Sequence, residues 1–115
     1  MPNPVVHWEI LGKDPGKLQK FYAQLFGWHI DANNPMNYGI ADTHSEKGIN
    51  GGIGPAAGDH YRITFYIEVD DLQAFLNKAG RLGGKTVKPP TEIPDLVTLA
   101  QFSDPEGNII GLVKG

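Results

Sequence analysis

Side chains that can bind ligands or exchange protons recur at every second position in two segments of the sequence. Because successive side chains of a strand point to opposite faces, such spacing places each set on one face of a strand. An imidazole changes charge near neutral pH, and carboxylate, guanidinium and hydroxyl groups bind polar ligands. The pattern predicts a ligand-binding or proton-transfer site built from His7, Glu9, Arg62, Thr64, Tyr66 and Glu68.

These side chains require two strands with an apolar face opposite the polar one. The first is predicted from Val5 to Leu11 and the second from Tyr61 to Val69. Their apolar faces are expected to pack against helices and consist of Val6, Trp8 and Ile10 in the first strand and Ile63, Phe65, Ile67 and Val69 in the second. We expect the two polar sets to share the other face, where a curved sheet would form a cavity around His7.

A predicted helix follows each of these strands. Asp14-Pro15 is typical of a helix start, and Gly27 of a helix end. The residues expected to form the buried stripe of this helix are Leu18, Phe21, Tyr22, Leu25 and Phe26. The second helix is predicted to start at Asp70 or Asp71, to end at Gly83-Gly84, and to bury Leu72, Phe75, Leu76 and Ala79.

Three further strands are predicted after each helix, so that the order strand, helix and three strands occurs twice. They are predicted at Trp28–Asp31, Tyr38–Asp42 and Ile49–Ile53, and at Lys85–Lys88, Leu96–Phe102 and Asn108–Val113. The expected fold is α+β: two βαβββ modules form a cupped mixed sheet with helices on its convex face. We expect one domain over residues 1–115, with modules at about 4–55 and 60–115.

Composition narrows the functional classes. The chain of 115 residues has a formal net charge of -3 and scattered basic residues, which argues against a nucleic-acid partner. It contains no cysteine, which excludes disulfide frameworks, thiolate nucleophiles and cysteine zinc sites. It shows no signal-peptide pattern and no apolar run of about 18 residues. We therefore expect a cytoplasmic protein without a membrane partner.

The polar face allows two interpretations. It could be polar because it is solvated, or it could line a ligand pocket in which Tyr66, Trp28 and Tyr38 supply aromatic walls. The remaining histidines show no metal-ligand spacing and are expected at the surface; they are His29, His44 and His60.

Several motifs resemble those of the glyoxalase/bleomycin-resistance/dioxygenase proteins, the vicinal oxygen chelate superfamily. They are Val6-His7-Trp8-Glu9-Ile10, Asp14-Pro15, Phe21-Tyr22, Phe26-Gly27-Trp28, Glu68-Val69-Asp70-Asp71-Leu72 and Phe102-x-Asp104-Pro105-Glu106-Gly107-Asn108. The resemblance covers nearly the whole chain. It implies paired βαβββ modules, a small-molecule cavity and commonly a homodimer.

The resemblance also implies three positions for ligands of a divalent metal. His7 matches the first, but Thr64 and Gly111 stand at the other two, and neither is a good zinc or iron ligand. We therefore expect a glyoxalase-like, bleomycin-resistance-like binding protein without the divalent metal or any other cofactor. The alternatives are a lyase, isomerase or dioxygenase related to lactoylglutathione lyase, using His7 with or without a metal, and a structural dimer with a vestigial cavity.

Overall fold

The computed structural model describes residues 2–58, 61–94 and 96–115, so that His60 lies outside the described residues. Within these ranges there are eight strands, in parallel and antiparallel pairs, and two helices, so the predicted α+β fold is confirmed. The elements are β1 (Val5–Gly12), α1 (Pro15–Phe26), β2 (His29–Asp31), β3 (Gly39–Asp42), β4 (Gly51–Pro55), β5 (Arg62–Val69), α2 (Leu72–Arg81), β6 (Lys85–Ile93), β7 (Val97–Ser103) and β8 (Ile109–Lys114).

The chain consists of two compact units, which we call the N-terminal unit (His7–Thr64) and the C-terminal unit (Met1–Val6 with Phe65–Gly115). In the N-terminal unit β1 pairs in parallel with β4, and β3 pairs antiparallel with β4 and with β2. In the C-terminal unit β5 pairs in parallel with β8, and β7 pairs antiparallel with β8 and with β6. The predicted repetition of strand, helix and three strands is therefore present in the pairing as well as in the element order.

Both helices begin at an aspartate cap. The Asp14 carboxylate accepts a hydrogen bond from the backbone N–H of Lys17 at 3.1 Å, and Asp71 accepts one from Ala74 at 3.0 Å, which makes Asp71 rather than Asp70 the second cap. After α1, Gly27 adopts a left-handed conformation with φ of 73°, as expected at a helix end. Neither of the described helices has the length and apolar character needed to cross a membrane.

The core of the C-terminal unit lies between α2 and the sheet. Leu72 and Leu76 of α2 are buried, as predicted. They belong to a cluster that also contains Val69, Ala100 and Leu112, against which Ile67, Phe75 and Phe102 pack. The apolar face predicted for β5 is therefore correct for its second half.

The first half of β5 differs from the prediction. Ile63 and Phe65 were expected to face helices, but they are 77% and 40% exposed. Within the C-terminal unit α2 packs on β6, β7 and β8, and the apolar cluster there includes Ile67 and Val69 of β5 but not Phe65.

The buried stripe predicted for α1 is also wrong in part. Phe21, Leu25 and Phe26 are each more than half exposed, whereas Gln19 is the buried residue of this helix. The side of α1 that contacts β4 carries Gln19. The Gln19 side-chain amide donates there to the carbonyl of Ile53 at 2.8 Å.

The strand β6 continues to Ile93, well beyond the predicted end at Lys88. The added part contains two successive prolines, Pro89 and Pro90, which have no N–H to donate to a neighbouring strand. Within the C-terminal unit β6 pairs only with β7, and the register between them shifts on either side of Lys88, so the prolines are accommodated at an edge.

Candidate functional site

A chain of hydrogen bonds in the N-terminal unit joins His7 to Glu9 through Tyr38. The Nε2 atom of His7 lies 2.8 Å from the Tyr38 hydroxyl, which in turn donates to Oε2 of Glu9 at 2.9 Å. The rings of His7 and Tyr38 are nearly parallel, with an interplanar angle of 21° and centroids 6.3 Å apart. All three side chains are half-buried. His7 and Glu9, expected on one face of β1, are therefore linked by a third residue.

When Glu9 is ionised, the direction of these hydrogen bonds places one proton on His7. A phenol carries a single proton, and a carboxylate can only accept, so the Tyr38 proton is committed to Glu9. The Tyr38 oxygen must then accept from His7, which places a hydrogen on Nε2 in both the neutral and the charged ring.

Burial lowers the pKa of His7 below its ordinary value, because desolvation disfavours the charged imidazolium. The lowered pKa therefore favours the neutral ring at neutral pH. A neutral ring with its proton on Nε2 is a hydrogen-bond donor toward Tyr38.

Glycines of β4 make room for the tyrosine ring. In the parallel pairing Glu9 lies opposite Gly52, and a Cβ atom on Gly52 would overlap the Tyr38 hydroxyl. A Cβ on Gly54 would lie only 2.6 Å from a ring carbon of Tyr38. The close approach of this ring to β4 thus requires glycine at both positions.

The loop that precedes β3 is held by two side-chain amides. Asn34 donates from Nδ2 to the Tyr38 carbonyl at 2.6 Å, and its Oδ1 accepts from the Tyr38 backbone N–H at 3.0 Å. Gln19 donates to the carbonyl of Asn37 at 3.2 Å as well as to that of Ile53. Asn37 itself has a positive φ of 51°.

Two of the predicted site residues on β5 are buried rather than solvated. Thr64 is 4% and Tyr66 is 5% exposed. In the C-terminal unit the Tyr66 hydroxyl accepts a hydrogen bond from Gln101 at 3.1 Å, and the Tyr66 ring covers Gly111 so closely that a Cβ there would overlap it. A solvated polar face therefore does not describe Thr64 or Tyr66.

The remaining residues predicted for the site, Arg62, Glu68 and Trp28, differ in burial and in the unit or face on which they lie. Arg62 is half-buried and belongs with Thr64 to the N-terminal unit, whereas the Glu68 side chain is exposed in the C-terminal unit. Trp28, expected as an aromatic wall, instead packs on Trp8 with ring centroids 5.0 Å apart. Because Trp8 and His7 are adjacent on β1, Trp28 lies on the opposite face from His7.

The described histidines outside β1 are surface residues, as predicted. His29 and His44 are both exposed, with ring centroids 6.0 Å apart, and His44 lies 3.7 Å from a carboxylate oxygen of Asp42. No group of three potential metal-ligating side chains occurs among residues 2–58, 61–94 and 96–115.

The three positions implied for metal ligands hold His7, Thr64 and Gly111. Nε2 of His7 is occupied by the hydrogen bond to Tyr38. Thr64 offers a neutral hydroxyl, a poor ligand for zinc or iron. Gly111 has no side chain, and the space that one would need is filled by the Tyr66 ring.

A pocket of about 480 Å³ lies in the C-terminal unit between α2 and the sheet. Its walls include Ile67, Val69, Phe102 and Leu112, which face away from Tyr66, and none of the six predicted site residues lines it. Polar residues of its lining are Asn3, Lys78, Ser103 and Asp104, but the pocket contains none of the residues that the alternating pattern singled out. We therefore place the candidate site at the His7–Tyr38–Glu9 chain.

The sequence interpretation missed that Tyr38 links His7 to Glu9, and it missed Asn34 and Gln19 entirely. One local signal was present, since three glycines within four residues at Gly51–Gly54 indicate a strand that a large side chain approaches closely.

Comparison with known proteins identifies the family. Residues 5–112 match the model of the Glyoxalase/Bleomycin resistance protein/Dioxygenase superfamily. CFP32 from Mycobacterium bovis, a protein named as a glyoxylase, is 32% identical over 86% of this chain. This chain spans only 41% of the length of CFP32. A glyoxylase-like domain-containing protein from Didymella fabae is 31% identical over 87% of this chain and 84% of its own length. The Mn(II)-bound glyoxalase from Novosphingobium aromaticivorans shares the fold, with a TM-score of 0.63 at 18% identity over 97% of this chain and 38% of that one. The chain therefore belongs to the Glyoxalase/Bleomycin resistance protein/Dioxygenase superfamily.

Proposed function

We propose that this chain is a small-molecule-binding member of its superfamily and that His7, Tyr38 and Glu9 form the centre of its binding site. The single observation that supports this most is the hydrogen-bonded chain through Tyr38. It brings together a half-buried imidazole, phenol and carboxylate beside β4, a strand rich in glycine. Converging polar groups beside close-packed backbone are typical of a ligand site. We propose one glyoxalase-type domain over residues 1–115. Its further predicted ligand contacts are Arg62, Thr64, Tyr66 and Glu68.

We also propose that ligand binding at His7 does not use a divalent metal. The Nε2 lone pair that would coordinate an ion is absent when that nitrogen donates to Tyr38. A metal could bind at Nε2 only after the hydrogen bond to Tyr38 is broken and the proton released.

The binding test uses a library of small polar compounds, screened by ligand-observed NMR and measured by titration calorimetry. Tyr38→Phe and Glu9→Gln should each weaken the binding of a hit by about tenfold, the effect of losing roughly 1.4 kcal/mol of hydrogen bonding. His29→Gln, a change at an exposed histidine, is the matched control and should have no effect. Hits that bind both site variants as tightly as the unaltered protein would contradict the proposal.

The metal test uses chelator-treated protein titrated with Ni²⁺, Zn²⁺ and Mn²⁺. We expect no stoichiometric binding that depends on His7. Stoichiometric binding of any of these ions that disappears in His7→Ala would instead support the alternative, a metal-dependent lyase, isomerase or dioxygenase.

A second candidate function is proton transfer on a bound substrate. The lowered pKa of His7 supports it, because a histidine that is neutral at pH 7 can act as a base. The discriminating measurement is exchange of solvent deuterium into compounds found to bind. Exchange that His7→Ala abolishes would make the protein an enzyme, whereas binding without exchange leaves it a binding protein.

The homodimer implied by the family resemblance is part of the proposal, and the cytoplasmic location stays a prediction from the sequence. Exposed apolar side chains of α1, among them Phe21 and Leu25, support self-association. Sedimentation equilibrium should give twice the mass of one chain, and a single-chain mass would contradict the dimer.

A further inference from the structure

The position of Tyr38 depends on a loop that has little regular structure of its own. Tyr38 comes immediately before β3, and the preceding residue, Asn37, has a positive φ of 51°. Asparagine adopts this left-handed conformation more readily than other non-glycine residues, so Asn37 suits a tight turn before β3.

Asn34 holds the backbone of Tyr38 on both sides of its Cα atom. Its amide nitrogen donates to the Tyr38 carbonyl, and its amide oxygen accepts from the Tyr38 N–H. The oxygen also accepts from the N–H of Met36 at 3.2 Å. One side chain thus closes the loop and fixes the residue that carries the phenol.

Gln19 of α1 holds the same loop from the other side. Its buried amide donates to the carbonyls of Asn37 and Ile53, which joins the loop to β4. A Cβ on Gly39, the residue after Tyr38, would lie 2.9 Å from the Gln19 amide. The residues on either side of Tyr38 therefore both adjoin Gln19.

We infer that Asn34 and Gln19 are positioning residues, which fix the backbone around Tyr38 and so hold its hydroxyl between His7 and Glu9. The side-chain amides of both bind backbone groups, at Met36, Asn37, Tyr38 and Ile53, so both act on the site through Tyr38. The inference rests on the proposed function, because the site they support is the one proposed there.

The test measures the solvent exchange rate of the His7 Nε2 proton by NMR, since a hydrogen bond to Tyr38 slows that exchange. Asn34→Ala and Gln19→Met should each raise the rate by about tenfold, as Tyr38→Phe should. Adding Asn34→Ala to Tyr38→Phe should produce no further rise, because the effect of Asn34 passes through the phenol. Circular dichroism and urea titration establish that each variant is folded under the conditions used.

The matched control is Asn50→Ala. Asn50 also caps a loop of the N-terminal unit, accepting from the backbone N–H of Thr43 at 3.1 Å, but it does not contact the Tyr38 loop in the recorded hydrogen bonds. It should leave the exchange rate at His7 unchanged. If Asn34→Ala and Gln19→Met also leave it unchanged, the inference is wrong and the proposed site stands. If the unaltered protein shows no protected Nε2 proton at all, the proposed site is wrong as well.

Discussion

Replacing Tyr38 by phenylalanine removes one oxygen atom from the centre of the site and keeps the ring that packs on β4. The two hydrogen bonds lost are those to His7 at 2.8 Å and to Glu9 at 2.9 Å. A neutral hydrogen bond contributes about 1 kcal/mol to stability and one to a charged group about 1.5–3 kcal/mol. Because His7 and Glu9 are half-buried, water can replace part of the lost hydrogen bonding. We therefore expect the free energy of unfolding to fall by roughly 1–3 kcal/mol.

The loss is measurable as a lower free energy of unfolding in urea with an unchanged slope. Tyr22→Phe is the matched control: its ring stacks on Trp28, and no hydrogen bond of its hydroxyl is recorded in the described part of the chain, so its effect should stay within about 0.5 kcal/mol. A double-mutant cycle of Tyr38→Phe with Glu9→Gln should give a coupling energy of about 0.5 kcal/mol or more. Equal stability of the two tyrosine variants, with no coupling to Glu9, would refute the hydrogen-bonded chain.

Three other changes test the packing and the protonation of the site. Gly52→Ala should displace the Tyr38 ring and cost about 1–3 kcal/mol of unfolding free energy, measured in urea. Gly111→Ala should cost a similar amount by crowding the buried Tyr66 ring; stability within 0.5 kcal/mol (about the range of neutral surface changes) would contradict that close contact. The pKa of His7 is lower in the folded than in the unfolded chain, so its contribution to stability is complete above about pH 6.5 and is lost as the pH falls toward the folded value. His7→Gln should remove that part of the pH dependence between pH 7.5 and pH 5, and an unchanged profile would contradict it.

Much of the fold followed from local signals in the sequence. The two aspartate caps and the left-handed Gly27 were predictable because each is decided within a few residues. The exposure of Phe21 and Leu25 was not, because amphipathic spacing indicates which residues share a face but not how far the helix rolls on the sheet. The flank of α1 that is buried carries Gln19, whose hydrogen-bond partners lie 18 and 34 residues away along the chain.

The candidate site was predictable only in part for the same reason. The alternation of β1 correctly places His7 and Glu9 on one face, since that depends on neighbouring residues alone. Their connection through Tyr38 spans 31 and 29 residues and requires the course of the loop before β3. Family resemblance supplied a role for His7 as a metal ligand, whereas the hydrogen bond at Nε2 could be seen only in three dimensions.

The glycines of β4 contribute to the site through the side chains they lack. A Cβ at Gly52 or Gly54 would collide with the Tyr38 ring, and one at Gly51 would collide with Trp8. Selection at these positions would therefore act against any larger residue for as long as the two rings remain. Where a descendant replaces Tyr38 with a smaller residue, the constraint on Gly52 and Gly54 is lifted, while that on Gly51 persists. Among related sequences, we therefore expect larger residues at positions 52 and 54 only where position 38 carries a residue smaller than tyrosine.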